Sequence, residues 1–363
     1  MAVMLPEIPS RKQVALAHKR QGGLVAAVLP IHGPRALLRA HGALPIEVWG
    51  PPNIHAALGA SHLQPYVCSV VTNALSFLLS GGLQVADMIL VPHACDSLQG
   101  LGSILIDFLQ PAQPVLPFYL PRARRESDLD FLTAELRALG ASLAELTGAH
   151  PSLQDLARCL DQEQAADELL GRLHAARARL PLREWQVFAL IRSREFLPAE
   201  QFIALVQPVL EADTHPVRTG VPIILSGILP EPRAWVDALD DAGAVIVADD
   251  LAGCGRRLYA GGVSLDPYRR MAERLLSGPP DPMLGRPISE RVDHLVHLAR
   301  TTGARGVVFL VVKFCEPELF DLPLVRWRLK EVGLPSIAIE IELNDAHPLQ
   351  AMTRIEAFVE MLT

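Results

Sequence analysis

Three of the five cysteines close segments that read as strand mouths: Cys68 in PYVCSV, Cys95 at the end of DMILVPHAC, and Cys315 at the end of GVVFLVVKFC. Cys95 and Cys315 each follow an apolar run and precede an acidic residue, Asp96 or Glu316, which puts them in exit loops rather than strand centres. Ligands of open α/β sheets bind outside the carboxyl ends of the strands, so both thiols point at the functional edge. Cys68 stands just ahead of the helix-like VVTNALSFLL, where first-turn amides would favour a thiolate. Three such thiols could hold a metal cluster and leave one position open for chemistry.

Zinc is the rival metal, but structural zinc takes four ligands, commonly in pairs a few residues apart, and no C-x-x-C pair occurs here. Widely separated thiolates from different strand ends suit an iron-sulfur cubane better, because soft sulfur ligands select such clusters. A lone cysteine is more often a small buried hydrophobe than a ligand. Cys159, inside the amphipathic LARCLDQ, reads that way; Cys254, between glycines in DDLAGCGRR, fits either a tight loop or a close backbone approach to a ligand.

The elements that would position these thiols alternate between short apolar runs and helical periods. LVAAVLP, PIEVWG, DMILVPHAC and PVLPFYLP are strand candidates, with RALLRAHGA and SLQGLGSILIDFLQ as helices between them. Residues 128 to 180 turn to a period near 3.6, and WQVFALIRS followed by EQFIALVQPVLEA reads as a further helix pair. Alternation returns with VPIILSGIL, the helix PRAWVDALDDAG, AVIVADDL, GVVFLVVKFC, the helix PLVRWRLKEVG and IAIEIEL. The expected fold is α/β: two doubly wound, mainly parallel-sheet domains over residues 1–127 and 216–363, joined by a helical segment at 128–215.

A chain of 363 residues with half its residues apolar can fill two cores. A net charge of -7 gives no electrostatic reason to expect a nucleic acid or an anionic membrane as partner. The N-terminal MAVMLPEIPSRKQVALAHKR lacks the apolar core of a secretory signal, so a cytoplasmic location and no membrane association are expected. There is no G-x-x-x-x-G-K-[ST] loop and no G-x-S-x-G elbow. Among twelve histidines, His93 beside Cys95 is the one placed to hydrogen-bond a cluster sulfide; the basic run RARRESD at 122–128 is either a solvated turn or a contact for CoA phosphates or an activator.

Taken together, YVCS around Cys68, VPHACDS at 91–97, IVADDL with Arg256 after it, VVKFCEP at 311–317 and TRIEAFVEML at 353–362 resemble the 2-hydroxyacyl-CoA dehydratase family of D-component type, which also contains ATP-dependent benzoyl-CoA reductase subunits. The resemblance covers nearly the whole chain and implies one 4Fe-4S cluster on Cys68, Cys95 and Cys315, and a homologous second subunit. It also implies an ATP-hydrolysing iron-sulfur activator that injects one electron. The implied reaction is radical elimination of water from an (R)-2-hydroxyacyl-CoA through a ketyl radical; the alternatives are an aromatic-ring reductase subunit or a non-catalytic electron relay. Asp249, Asp250 and Arg256 are candidates to orient the thioester or the CoA, with a carboxylate pair matched to the arginine as the plainer alternative. Family members often carry a cysteine directly after DDL, where this chain has Ala252.

Overall fold

The computed structural model describes residues 6–212, 218–344 and 349–363. The first half runs α1 (Arg11–Arg20), β1 (Leu24–Val28), α2 (Arg35–Ala40), β2 (Ala43–Glu47), α3 (Ala57–Ala60), α4 (Ser69–Leu79), β3 (Met88–His93), α5 (Asp96–Ser103) and β4 (Val115–Tyr119). Four helices follow: α6 (Glu126–Thr147), α7 (Leu153–Ala176), α8 (Glu184–Ser193) and α9 (Ala199–Glu211). The second half is β5 (Val221–Gly227), α10 (Arg233–Asp241), β6 (Ala244–Leu251), α11 (Pro267–Leu276), α12 (Ile288–Thr302), β7 (Gly306–Val312), α13 (Glu316–Glu331), β8 (Ser336–Ile341) and α14 (Leu349–Met361).

Both sheets are four-stranded and parallel, ordered β2-β1-β3-β4 and β6-β5-β7-β8. The winding is the same in each, so the third strand of either sheet sits beside the first, where the strand order reverses and a crevice opens at the carboxyl ends. Such strands are covered on both faces, which is why they read as unbroken apolar runs. In β7, Val308, Leu310 and Val312 join one apolar cluster while Val307, Phe309 and Val311 join another on the opposite face. β1 divides likewise, with Val25 and Ala27 on one side and Ala26 and Val28 on the other.

The largest cluster lies between the sheets and takes in Ile89 and Ile223 together with Leu173, Leu190 and Phe202 of the helical segment. The outer face of the first sheet packs on α2 and α6, and also on Met271, Ala272 and Leu275 of α11, a helix that comes after β6 in sequence. α12 and α13 cover the outer face of the second sheet. WQVFALIRS is helical as expected. The helix read from PLVRWRLKEVG begins seven residues earlier, at Glu316, because Pro317 occupies the first turn, where its fixed φ suits a helix and its missing N–H costs nothing; Pro323 lies inside the same helix. The expected domain boundary near residue 215 lies outside the described residues.

Candidate functional site

Each of the three cysteines is the N-cap of a helix, Cys68 of α4, Cys95 of α5 and Cys315 of α13, but only Cys95 and Cys315 follow strands; PYVCSV is not a strand mouth, because a turn after α3 leads into Cys68. The first-turn N–H groups of a helix have no intrahelical acceptor. No cap hydrogen bond to sulfur forms, but the amides of Val70 and Val71 favour the thiolate of Cys68, those of Ser97 and Leu98 that of Cys95, and that of Glu318 that of Cys315. Cys95 and Cys315 follow the third strand of their respective sheets, so they occupy equivalent places in the two windings. Cys68 reaches the site on α4, which is held from two sides. Gly50, at φ +63, lies so close that an added Cβ would come 2.2 Å from the Val70 carbonyl oxygen. From the second half, the Leu343 N–H donates to Ser69 Oγ at 3.3 Å, and Asn344 exchanges hydrogen bonds with Asn73.

The three thiols repel one another as they ionise. Burial pushes Cys95 up to about 12, helped by the charge of Cys68 and opposed by the two amides. Burial is also the main cause that raises Cys315, followed by the charges of Cys68, Glu318 and Cys95. Cys68 is raised by burial as well. Among the described residues no three His, Cys, Asp or Glu side chains converge closely enough to share a single ion. These thiols could hold a group whose positive charge makes their thiolate forms favourable. A cavity of about 270 Å³ opens beside Cys95, with Asp96, Arg122, Met283, Glu316, Phe320 and Asp321 on its wall; Cys68 and Cys315 do not line it. A larger hollow of about 500 Å³ beside Trp185 and Arg233 contains no thiol.

Asp249, Asp250 and Arg256 lie inside the fold, with side chains 0% exposed. Asp250 is forked by Arg256 at 3.0 Å and 3.0 Å and also accepts from Ser226 Oγ at 2.8 Å. Arg256 reaches on to Glu318 at 2.6 Å and Asp281 at 3.4 Å, while Arg291 bonds the other oxygen of Glu318 at 2.7 Å. Burial disfavours the charged form of Asp250, yet the charges of Arg256 and Arg291 outweigh it and hold the carboxyl well below its ordinary range. Asp249 turns to a separate group, accepting from Arg177 Nη1 at 2.5 Å and the Gly255 N–H at 2.7 Å, with His174 Nδ1 at 3.2 Å. The pairing of a strand-end carboxylate with Arg256 is thus the arrangement found, and the partners of all three residues are protein groups.

Comparison with known proteins adds a family to this geometry. The profile described as 2-hydroxyglutaryl-CoA dehydratase, D-component, matches residues 30–362. The chain belongs to this family. It is 26% identical to the lactoyl-CoA dehydratase subunit beta of Anaerotignum propionicum over 92% of this chain and 91% of that one. It is 24% identical to the (R)-2-hydroxyglutaryl-CoA dehydratase subunit beta of Acidaminococcus fermentans, with 97% and 96% covered. A subunit of the benzoyl-CoA reductase of Thauera aromatica is 25% identical, with 88% and 86% covered.

The remaining sequence candidates of this D-component chain separate cleanly. Cys159 packs on α7 in the apolar layer over the first sheet. Cys254 is fully buried, and the charges acting on it are those of Asp249, Arg192, Glu195 and Arg177, none of them a thiol. The His93 ring meets Tyr119 edge-on with centroids 4.5 Å apart and lies 3.1 Å from where a Cβ of Gly102 would be. In the basic run, Arg122 pairs with Asp96 at 3.1 Å beside Cys95, Arg124 donates to the Gly278 carbonyl, and Arg125 pairs with Asp128. Glu318, Arg291, Asp281 and the cavity wall were not read from the sequence. One local signal was present: Cys315-Glu-Pro-Glu318 has the N-cap-to-N3 spacing of a capping box.

Among the described residues no helix is long and apolar enough to cross a membrane.

Proposed function

We propose that this chain is the iron-sulfur subunit of a 2-hydroxyacyl-CoA dehydratase, holding one 4Fe-4S cluster on Cys68, Cys95 and Cys315 and acting in the cytoplasm with a homologous subunit and an ATP-hydrolysing activator. What supports the reading is that Cys68, Cys95 and Cys315 each cap a helix, and that, beyond burial, Cys95 is raised by the charge of Cys68 and Cys315 by those of Cys68 and Cys95, in a chain that belongs to the D-component family. Such a cluster supplies one-electron chemistry and, at an iron not held by cysteine, a Lewis-acid position for a substrate oxygen.

The chain's own residues serve that chemistry in three ways. Cys68, Cys95 and Cys315 supply the sulfur ligands, and the amides of Val70, Val71, Ser97, Leu98 and Glu318 stabilise negative charge on them. The cavity beside Cys95, which Pro282, Met283 and Pro317 share with Asp96, Glu316 and Asp321, offers room for an acyl group. Arg122, paired with Asp96, stands on the same cavity wall as Cys95.

The names of two relatives, lactoyl-CoA and (R)-2-hydroxyglutaryl-CoA dehydratase subunits, favour elimination of water from an (R)-2-hydroxyacyl-CoA. The likeness to a benzoyl-CoA reductase gives the second reading, an aromatic-ring reductase. The test is anaerobic reconstitution with the homologous subunit, the activator, ATP and a reductant, followed by mass analysis of the acyl-CoA products. Loss of water from an (R)-2-hydroxyacyl-CoA supports the first reading, and gain of two hydrogens by an aromatic acyl-CoA supports the second. Neither product, from a preparation whose activator turns over ATP, would overturn both.

A further inference from the structure

Cys68 and Cys95 belong to the first sheet's half and Cys315 to the second's, so the distance between thiols depends on what fixes one half against the other. A buried ion network reaches across that junction through His32 and Asp281, separate from the buried pair Arg257–Glu47. Glu318, 1% exposed, has one carboxylate oxygen on Arg256 and the other on Arg291, and it lies in the first turn of the helix that Cys315 caps. Both arginines are anchored on β5 and β6, Arg256 through the fork to Asp250 and Arg291 through Ser226 Oγ at 3.2 Å. Arg256 also reaches Asp281, whose carboxylate takes the Met283 N–H at 3.0 Å and faces His32 Nε2 at 3.1 Å. Met283 walls the cavity of Cys95, and His32 follows β1, the strand paired with β3.

We propose that Arg256 and Arg291 are positioning residues that set Cys315 at its working distance from Cys95, by clamping Glu318 against Asp250 on one side and holding Asp281 with its loop on the other. The proposal rests on the reading that the three thiols share one guest. Buried ion groups can often be replaced by apolar side chains of similar volume without loss of stability. What apolar packing lacks is the fixed direction of a guanidinium fork on a carboxylate. The network ends on Glu318, in the first turn of the helix that Cys315 caps, and on the loop of Met283 that walls the cavity of Cys95.

The experiment compares wild type, Arg291→Met, Arg291→Lys and Glu318→Gln. Arg194→Met is the control, because Arg194 is an equally buried arginine paired with Glu163 and Asp167, away from the thiol cavity. Folding is checked by far-UV circular dichroism. In the anaerobically purified protein, release of iron to a chelator is timed; changes behind metal ligands typically weaken binding about 10- to 100-fold, so Arg291→Met should release iron at least about tenfold faster. In the iron-free chain, dibromobimane, which fluoresces when both arms have reacted, reports bridging of Cys95 to Cys315, located by peptide mapping. The bridging yield should change in Arg291→Met and Glu318→Gln, change less in Arg291→Lys, and stay at the wild-type value in Arg194→Met even where melting falls. Wild-type release and bridging in folded Arg291→Met, or equal changes in Arg194→Met, would overturn the proposal. If wild type carries no iron, the cluster reading fails while the bridging measurement still decides this one. If Arg291→Met does not fold, Arg291→Lys and Glu318→Gln decide.

Discussion

Changing Asp249 to Asn tests the buried charge pairing at the end of β6. Arg177 has a side chain 0% exposed, stacked 4.6 Å from the Phe188 ring centroid. Its Nη1 donates to Asp249, its Nε and Nη2 find no hydrogen-bond acceptor, and the remaining carboxylate, Glu184, lies 3.6 Å away. Breaking one side of a buried pair costs about 3–5 kcal/mol because the other charge stays enclosed. With an unfolding entropy of roughly 2.1 cal/mol/K per residue, the whole chain gives about 0.8 kcal/mol per degree, so Asp249→Asn should lower Tm by about 4–7 °C. Scanning calorimetry at neutral pH measures it. Arg177→Met should cost a similar amount, and the double variant should cost much less than the sum. A Tm within about 1 °C of wild type, or strictly additive costs, would refute the reasoning.

Three further outcomes follow from the same structure. Burial opposes ionisation of Asp249, but His174, Arg177 and the Gly255 amide hold its carboxyl down at about 2, below the ordinary 3.8. A lowered carboxylate stabilises the fold above its unfolded value, so about 2 kcal/mol should be present at neutral pH and lost as pH falls from about 4 to about 2; equilibrium unfolding against pH should show this slope in wild type and a smaller one in Asp249→Asn. Gly50→Ala would force a Cβ to within 2.2 Å of the Val70 carbonyl at a positive φ, so it should displace α4 and lower iron content more than a surface Gly100→Ala, which meets nothing within 4 Å. Cys95→Ser and Cys315→Ser should each lose the cluster's visible absorption, whereas Cys159→Ser, in the layer over the first sheet, should keep it.

The inner strands were legible because they are covered on both faces and therefore apolar, as Val307 to Val312 shows in β7; the edge strands β4 and β8 are only partly covered but keep an apolar run. The positions of Cys95 and Cys315 were legible for a related reason, since a polar break after such a run marks a strand exit; Cys68 follows a turn instead, so its placement was legible only from the helix after it. The thiols' role as caps was visible only in part, since the start of α13 at Glu316 was hidden by Pro317, a residue that breaks helices except in the first turn. The ion networks were not legible. Arg256 meets Glu318 across 62 residues and His32 meets Asp281 across 249, and no local period selects such partners. Equally, the shared strand order of the two sheets leaves no fixed repeat in the sequence, because the layered pattern is met by different apolar residues in each half.

Iron and acid-labile sulfide per chain after anaerobic purification, with zinc determined in the same sample, decide whether the three thiols hold a cluster at all. A cubane on Cys68, Cys95 and Cys315 requires about four irons and about four sulfides per chain. Zinc without sulfide, or iron and sulfide retained at full content when all three cysteines are replaced by Ser, would contradict it.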